Sequence, residues 1–431
     1  MSSRHSLVDA LGPWLLAAGL VFSVSSQLRV PGVGLGPGEL LLVAWLLTWA
    51  LGERVMRPTL LAPFLGFWGV AALLLAAGRA FGTYPADTPR PGGLHDAMAY
   101  GLCVVLGIAF LGQTRQAIRR LPERLLAMYL ASAVVAFGLG IVLRSASGID
   151  AMYYGVRWQH LSNNPNQFAL MVLPVPFLAL RALRQDGASS WLPVTAFVVA
   201  IGLGLYSHSD ALSLAWLGGS VLIGAGWWWM SAQGWMVRPA ARSMASALLV
   251  VMLVSMAWQW RFLLPGVVRS TQADVATDTA AAAASAIYKA QVAGGPMPKT
   301  AETANFDADQ SQAGLRVRLW RHGLQAASSS PIVGLGPGPH SGYVKAFDGV
   351  EAHNSLLDWA TQAGGLGVLA LLVYAAILGR VLLTRGGPEA IAMVASLACF
   401  SLFHFTMRQP LFWLMPLLAV LLPGRVDDDA A

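Results

Sequence analysis

The chain has 431 residues, of which 56% are hydrophobic and 11% charged, and its mean hydropathy is +0.59. Soluble domains carry about 25% charged residues, so this composition excludes a soluble fold and defines a polytopic, all-α membrane protein. The net charge of +7 comes with no basic, aromatic-interleaved soluble domain, which argues against nucleic acid as a partner.

About 20 apolar residues are needed to cross a bilayer as a helix. Twelve stretches meet or approach that length, at about 11–28, 34–52, 59–79, 95–113, 125–143, 166–183, 191–207, 211–230, 244–262, 354–379, 388–407 and 409–423. A Ser-Val-Ser-Ser sequence near the end of the first stretch resembles the end of a signal peptide. Retaining that stretch keeps the count consistent, so it reads as the first span. Cys103 and Cys399 both lie within apolar runs and read as small buried hydrophobes.

Arginine placement orients the spans. Arg4, Arg54, Arg57, Arg115, Arg119, Arg120, Arg124, Arg181, Arg184, Arg238, Arg242, Arg380, Arg385 and Arg425 fall on one side. Only Arg29, Arg79, Arg90, Arg144, Arg157 and Arg408 occupy the opposite short segments, which makes 14 against 6. The arginine-rich side is expected to face the cytoplasm. Residues 1–262 then hold nine spans, 263–352 form an external loop domain, 353–423 hold three more spans, and 424–431 form a cytoplasmic tail.

The loop has a pattern of its own. Thr279 to Val292 is alanine-rich and predicts a helix, with Asp274 and Asp278 near its positive end. Ala313 to Ser328 predicts a second, with Arg318 and Arg321 adjacent at i, i+3. Pro331 and Gly334-Leu335-Gly336-Pro337-Gly338 then force a turn. A similar string at Gly34 to Gly38 is too short to mark a repeat.

Four external features carry candidate chemistry. Arg157 leads into Asn163-Asn164-Pro165-Asn166, which reads as a headgroup-level arginine and a helix cap, or as a ligand-orienting pair in which Asn166 takes part. Arg316, Arg318 and Arg321 read as a solvated helix face or as a phosphate clamp, with Lys345 in the same loop. The planar guanidinium suits bidentate contact with phosphate oxygens. His353-Asn354 opens an apolar helix, as a cap or as a general base with near-neutral pKa, and His340 in the preceding turn is its rival. Ser207-His208-Ser209-Asp210 breaks two spans, where His208 either binds substrate or ends a helix. No nucleotide-binding glycine loop or paired Cys/His zinc spacing is present. Asp307-Ala308-Asp309 has the form of a metal-binding DxD but reads as a solvated pair, so neither metal nor cofactor is expected.

Taken together these residues resemble the O-antigen ligase and polymerase superfamily of bacterial envelope glycosyltransferases. The resemblance covers most of the chain in topology and is specific over 316–367. There the family order of Arg, Trp, Pro, Gly-x-Gly, His-Asn and a glycine-rich helix is met by Arg316, Trp320, Pro331, Gly334, Gly336, His353, Asn354, Gly364, Gly365 and Gly367. Arg157 followed by Asn164-Pro165-Asn166 and Ala169 is a second match. The family's Ser-Arg at a mid-chain helix start is replaced by Ser207-His208, which leaves that position without its arginine.

The resemblance implies a multi-pass protein of the bacterial inner membrane, with its active site facing the periplasm and membrane lipids around it. It implies an undecaprenyl-pyrophosphate-linked glycan donor, a lipid A–core acceptor, and a metal-independent transfer that inverts the anomeric centre. His353 would act as base and Arg157, Arg316, Arg318 and Arg321 would hold the pyrophosphate. Asn166, Asn354, Gly334, Gly336 and His208 would support them. A polymerase or a protein O-oligosaccharyltransferase shares the donor, and a transporter of anionic solutes is the alternative outside the family.

Overall fold

The computed structural model describes residues 2–30, 35–84, 91–147, 151–154, 157–184, 191–232, 239–260, 312–345 and 348–422. The alanine-rich segment 279–292, the Asp307–Asp309 pair and the tail 424–431 lie outside the described residues.

Helices run in chain order as α1 (Ser2–Phe22), α2 (Pro37–Leu51), α3 (Pro58–Phe81), α4 (Leu94–Leu111) and α5 (Arg115–Ser147). They continue as α6 (Pro165–Val172), α7 (Val175–Arg184), α8 (Trp191–Tyr206), α9 (Asp210–Ala232) and α10 (Pro239–Trp260). The last four are α11 (Gln312–Ser329), α12 (Ser355–Arg385), α13 (Pro388–Ser401) and α14 (Pro410–Leu421). Two short antiparallel ladders join β1 (Tyr153–Tyr154) to β2 (Arg157–Trp158) and β3 (Tyr343–Lys345) to β4 (Asp348–Gly349). Among the described residues, six helices are long and apolar enough to cross a membrane: α3, α4, α5, α9, α12 and the α6–α7 pair taken together. Six shorter apolar helices accompany them.

Proline starts several of these helices. Pro37, Pro58, Pro165, Pro388 and Pro410 occupy first-turn positions, where a missing N–H costs nothing. Inside a span proline acts the other way. The stretch expected as one span at 166–183 is broken at Leu173-Pro174 into α6 and α7. The stretch expected to run to 407 ends at Ser401, because the following residues turn back to bond the start of α12.

An aromatic cluster seats α12 in the bundle. Phe67 stacks on Tyr374 at 5.2 Å, Trp68 lies 4.8 Å from Trp413, and Tyr100 meets Trp359 edge-on at 5.7 Å. Tyr100 Oη donates to Gln362 Oε1 at 2.7 Å, which ties α4 to α12. In lipid such packing gains from close van der Waals contact and internal hydrogen bonds, since the surrounding chains are equally apolar.

The glycines of 334–336 and 364–367 belong to one joint. Gly364 (φ 70°) breaks α12, and the 330–336 turn fills the gap. Leu335 N–H donates to Thr361 O at 2.8 Å, Gly336 N–H to Gln362 O at 3.0 Å, and Gly365 N–H to Pro331 O at 2.7 Å. The backbone polar groups freed by the break are thereby re-satisfied. A Cβ on Gly364 would overlap the Ile332 carbonyl, and one on Gly336 would meet the Arg79 backbone of α3. Gly364→Ala is therefore expected to destabilise the protein. The backbone conformation alone, a positive φ with extended ψ that only glycine adopts readily, costs a residue with a Cβ about 1–3 kcal/mol, and overlap adds to it. Detergent-solubilised variant should show a lowered melting midpoint by size-exclusion or intrinsic fluorescence; an unchanged midpoint would refute the joint.

Candidate active site

The candidate site lies at one end of the bundle, where α6, α9, α12 and α14 begin and α8 ends. Three non-glycine residues among those described have positive φ, and all are histidines: His160 (58°), His208 (48°) and His353 (54°). His208 and His353 each stand two residues before the first residue of a helix, Asp210 of α9 and Ser355 of α12. A left-handed histidine persists only where its surroundings hold it.

At His353 the holding group is Asp358. Its Oδ1 accepts from Ala352 N–H at 2.7 Å and its Oδ2 from Asn354 N–H at 3.3 Å, so one carboxylate brackets the histidine's backbone on both sides. Asn354 caps α12 by accepting from Leu357 N–H at 3.0 Å. Asp358 itself is 1% exposed. The 402–409 connection closes the other side. Ser355 Oγ donates to His404 O at 2.7 Å, and Thr406 N–H donates to Ser355 Oγ at 3.0 Å. Arg408 pairs with Glu351, and with Asp96 of α4 at 2.6 Å. The His353 and His404 rings meet edge-on, 6.4 Å between centroids.

Arg157 is held from a different direction. Its Nε donates to Ser207 O at 3.1 Å and its Nη2 to His208 O at 3.2 Å, at the carbonyl end of α8. Cations are favoured at that end of a helix dipole. Asn164 caps α6 through Asn166 N–H at 2.8 Å, and Ser209 Oγ donates to Asn166 Oδ1 at 3.2 Å. Gln27 supports the same loop by donating to Ala151 O and Ser162 O. Asn166, Arg157 and the 207–209 break thus form one unit.

Electrostatics connect the two halves. Burial, with the nearby charge of Arg316, lowers the His353 pKa below its ordinary 6.5. Burial, His353, Arg316 and Arg157 push His404 down to about 3. Both imidazoles are neutral at pH 7 and able to accept a proton or a hydrogen bond. Burial and Arg157 also lower His208, against the opposing effect of Asp210.

These shifts set a pH dependence of stability. Unfolded histidine binds its proton near 6.5, while folded His404 does so only near 3. The unfolded state therefore binds more protons between those values, and stability falls as pH drops from 6.5 toward 3. Melting midpoints of the purified protein across that window are expected to decline with acid, and His404→Phe should flatten the slope.

Arg316 is half-buried and acts on both imidazoles. Arg318 and Arg321 are exposed on α11, and Arg321 borders an open, mainly apolar hollow with Val317 and Trp320. His340 is buried in the glycine turn, its Nε2 2.9 Å from Gly336 O. Gly334 and Gly336 lie in the joint with α12. Lys345 lies in β3, with its side chain outside the described residues.

Sequence reasoning missed His404, Arg408, Asp96 and Asp358. The available signal was a His-Phe-Thr-Met-Arg run between two apolar stretches, since ionisable groups at span ends are candidates by default. Reading 388–407 as continuous helix concealed it.

Among the described residues no group of three or more His, Cys, Asp or Glu is arranged to hold a metal ion. Comparison with models of known protein families gives no match, and comparison with curated proteins gives none either.

Proposed function

We propose that this protein is an O-antigen ligase of the bacterial inner membrane. In this reading the twelve apolar helical passes all span the bilayer, with both termini in the cytoplasm and the 263–352 loop in the periplasm. The reaction moves a polysaccharide from undecaprenyl pyrophosphate to a sugar hydroxyl of lipid A–core. The observation that carries it is the grouping of Arg157, Arg316 and two neutral imidazoles at one end of the bundle.

Each part has a chemical role. A neutral His353 takes the acceptor's hydroxyl proton as that oxygen attacks the anomeric carbon. The bond from that carbon to the pyrophosphate oxygen breaks, and the electron pair leaves with the phosphate. Arg157 and Arg316 balance the charge that develops on the leaving group. One direct displacement inverts the anomeric centre. Asp358 and the glycine joint position His353 without touching substrate.

The test is the lipopolysaccharide profile of a deletion strain, probed with O-antigen antibody. Loss of every O-antigen-bearing band while lipid-linked polymer accumulates is the expected result. Loss of the ladder with core plus one repeat retained would replace the ligase reading with a polymerase. An intact profile would remove both.

A further inference from the structure

His404 belongs to none of the sequence motifs, yet it is buried in the site. It is 7% exposed, its ring lies 4.6 Å from Phe400, and its carbonyl is bonded to Ser355. Its Nε2 is buried and has no hydrogen-bond partner among the described residues. The Nε2 atoms of the structural histidines are bonded: His160 Nε2 lies 3.0 Å from Ser132 O, with its Nδ1 left unpartnered, and His340 Nε2 lies 2.9 Å from Gly336 O. A buried imidazole nitrogen without a partner is costly unless a ligand or water completes it.

The groups acting on this ring are His353, Arg316 and Arg157, and all are basic. The nearby carboxylates Glu351 and Asp96 pair with Arg408. A neutral imidazole N–H beside two guanidinium groups is complementary to an oxyanion. A sugar hydroxyl fits it less well, having no charge for the arginines to match.

We infer that His404 is a second substrate-contacting imidazole, whose Nε2–H donates a hydrogen bond to a pyrophosphate oxygen of the donor. The inference deepens the ligase reading and rests on it for the identity of the donor. The anion site itself does not depend on the acceptor. A bound anion would also offset the surrounding positive charge, so the His404 ring should hold a proton at higher pH when pyrophosphate is present.

The experiment uses full-length protein carrying 15N-histidine in zwitterionic-lipid nanodiscs, titrated with inorganic pyrophosphate. His404 signals are assigned by their loss in His404→Phe, or in His404→Gln if the first variant does not fold. The expected result is a saturable shift of those signals, with their titration moved to higher pH. Parallel transfer assays with lipid-linked donor should show at least a tenfold loss in His404→Phe and partial recovery in His404→Gln, whose amide can still donate. Repeating the titration with anionic phospholipid in place of pyrophosphate separates a lipid headgroup from the donor's phosphate. A shift produced by headgroup alone would overturn the assignment. So would His404 signals unmoved by pyrophosphate, or wild-type transfer by His404→Phe. If the wild-type protein transfers no glycan at all, the ligase reading falls, while a pyrophosphate-dependent shift still upholds the anion site.

Discussion

Replacing His353 with alanine is expected to reduce glycan transfer by about 10²–10⁴-fold while leaving the protein folded in the membrane, the range that a positioned general base contributes. The backbone at 353 is left-handed, so alanine adds its own local strain. His353→Asn is the better control, because asparagine tolerates that conformation yet is no base at neutral pH. Transfer would be measured in proteoliposomes with lipid-linked donor and purified core acceptor. Wild-type rates in His353→Asn would remove the base assignment. The pH profile supplies an independent check. Because burial and Arg316 lower the His353 pKa, its neutral form persists below 6.5. The acid limb of kcat/KM should therefore fall below 6.5 and disappear in the variant.

Removing either arginine of the pair should cost about 10²–10³-fold in kcat, the scale seen when one preorganised oxyanion partner is lost. Arg157→Ala and Arg316→Ala are expected to act mainly on kcat, since leaving-group charge develops in the transition state. Lysine should restore only part of the rate, because a point charge cannot reproduce the two directions in which Arg157 donates, to Ser207 O and His208 O. Arg318→Ala and Arg321→Ala remove exposed side chains that act on neither imidazole, and their loss should change transfer far less. Equal losses across all four variants would mean that the arginines serve as a diffuse electrostatic patch.

Hydropathy along the chain sufficed for the helical membrane character, because the backbone in lipid must satisfy itself within each segment. Local chemistry also sufficed for the helix over 312–329 and for the caps at Asn164 and Asn354, which depend on neighbouring residues only. Apolarity does not reveal where a span stops. The end of α13 at Ser401 arises from bonds to Ser355, a residue over 40 positions away in sequence, and proline geometry breaks the α6–α7 stretch at Leu173-Pro174 without ending the span.

The glycine motifs show the division most clearly. Gly334, Gly336 and Gly364 could be recognised as turn and helix-breaking residues from their type. That they form one joint, pressing the 330–336 turn into the broken α12 against α3, required the folded chain. The candidate site divides likewise. His353 and Arg157 were legible as polar residues at span ends, where charge is costly and seldom idle, and Arg316 as one of three clustered arginines in the long polar loop. His404, the Asp358 bracket and the separation of Arg316 from Arg318 and Arg321 are products of packing. Residues two apart on a helix point in nearly opposite directions, and an imidazole in a short connection acquires its neighbours only when distant helices meet.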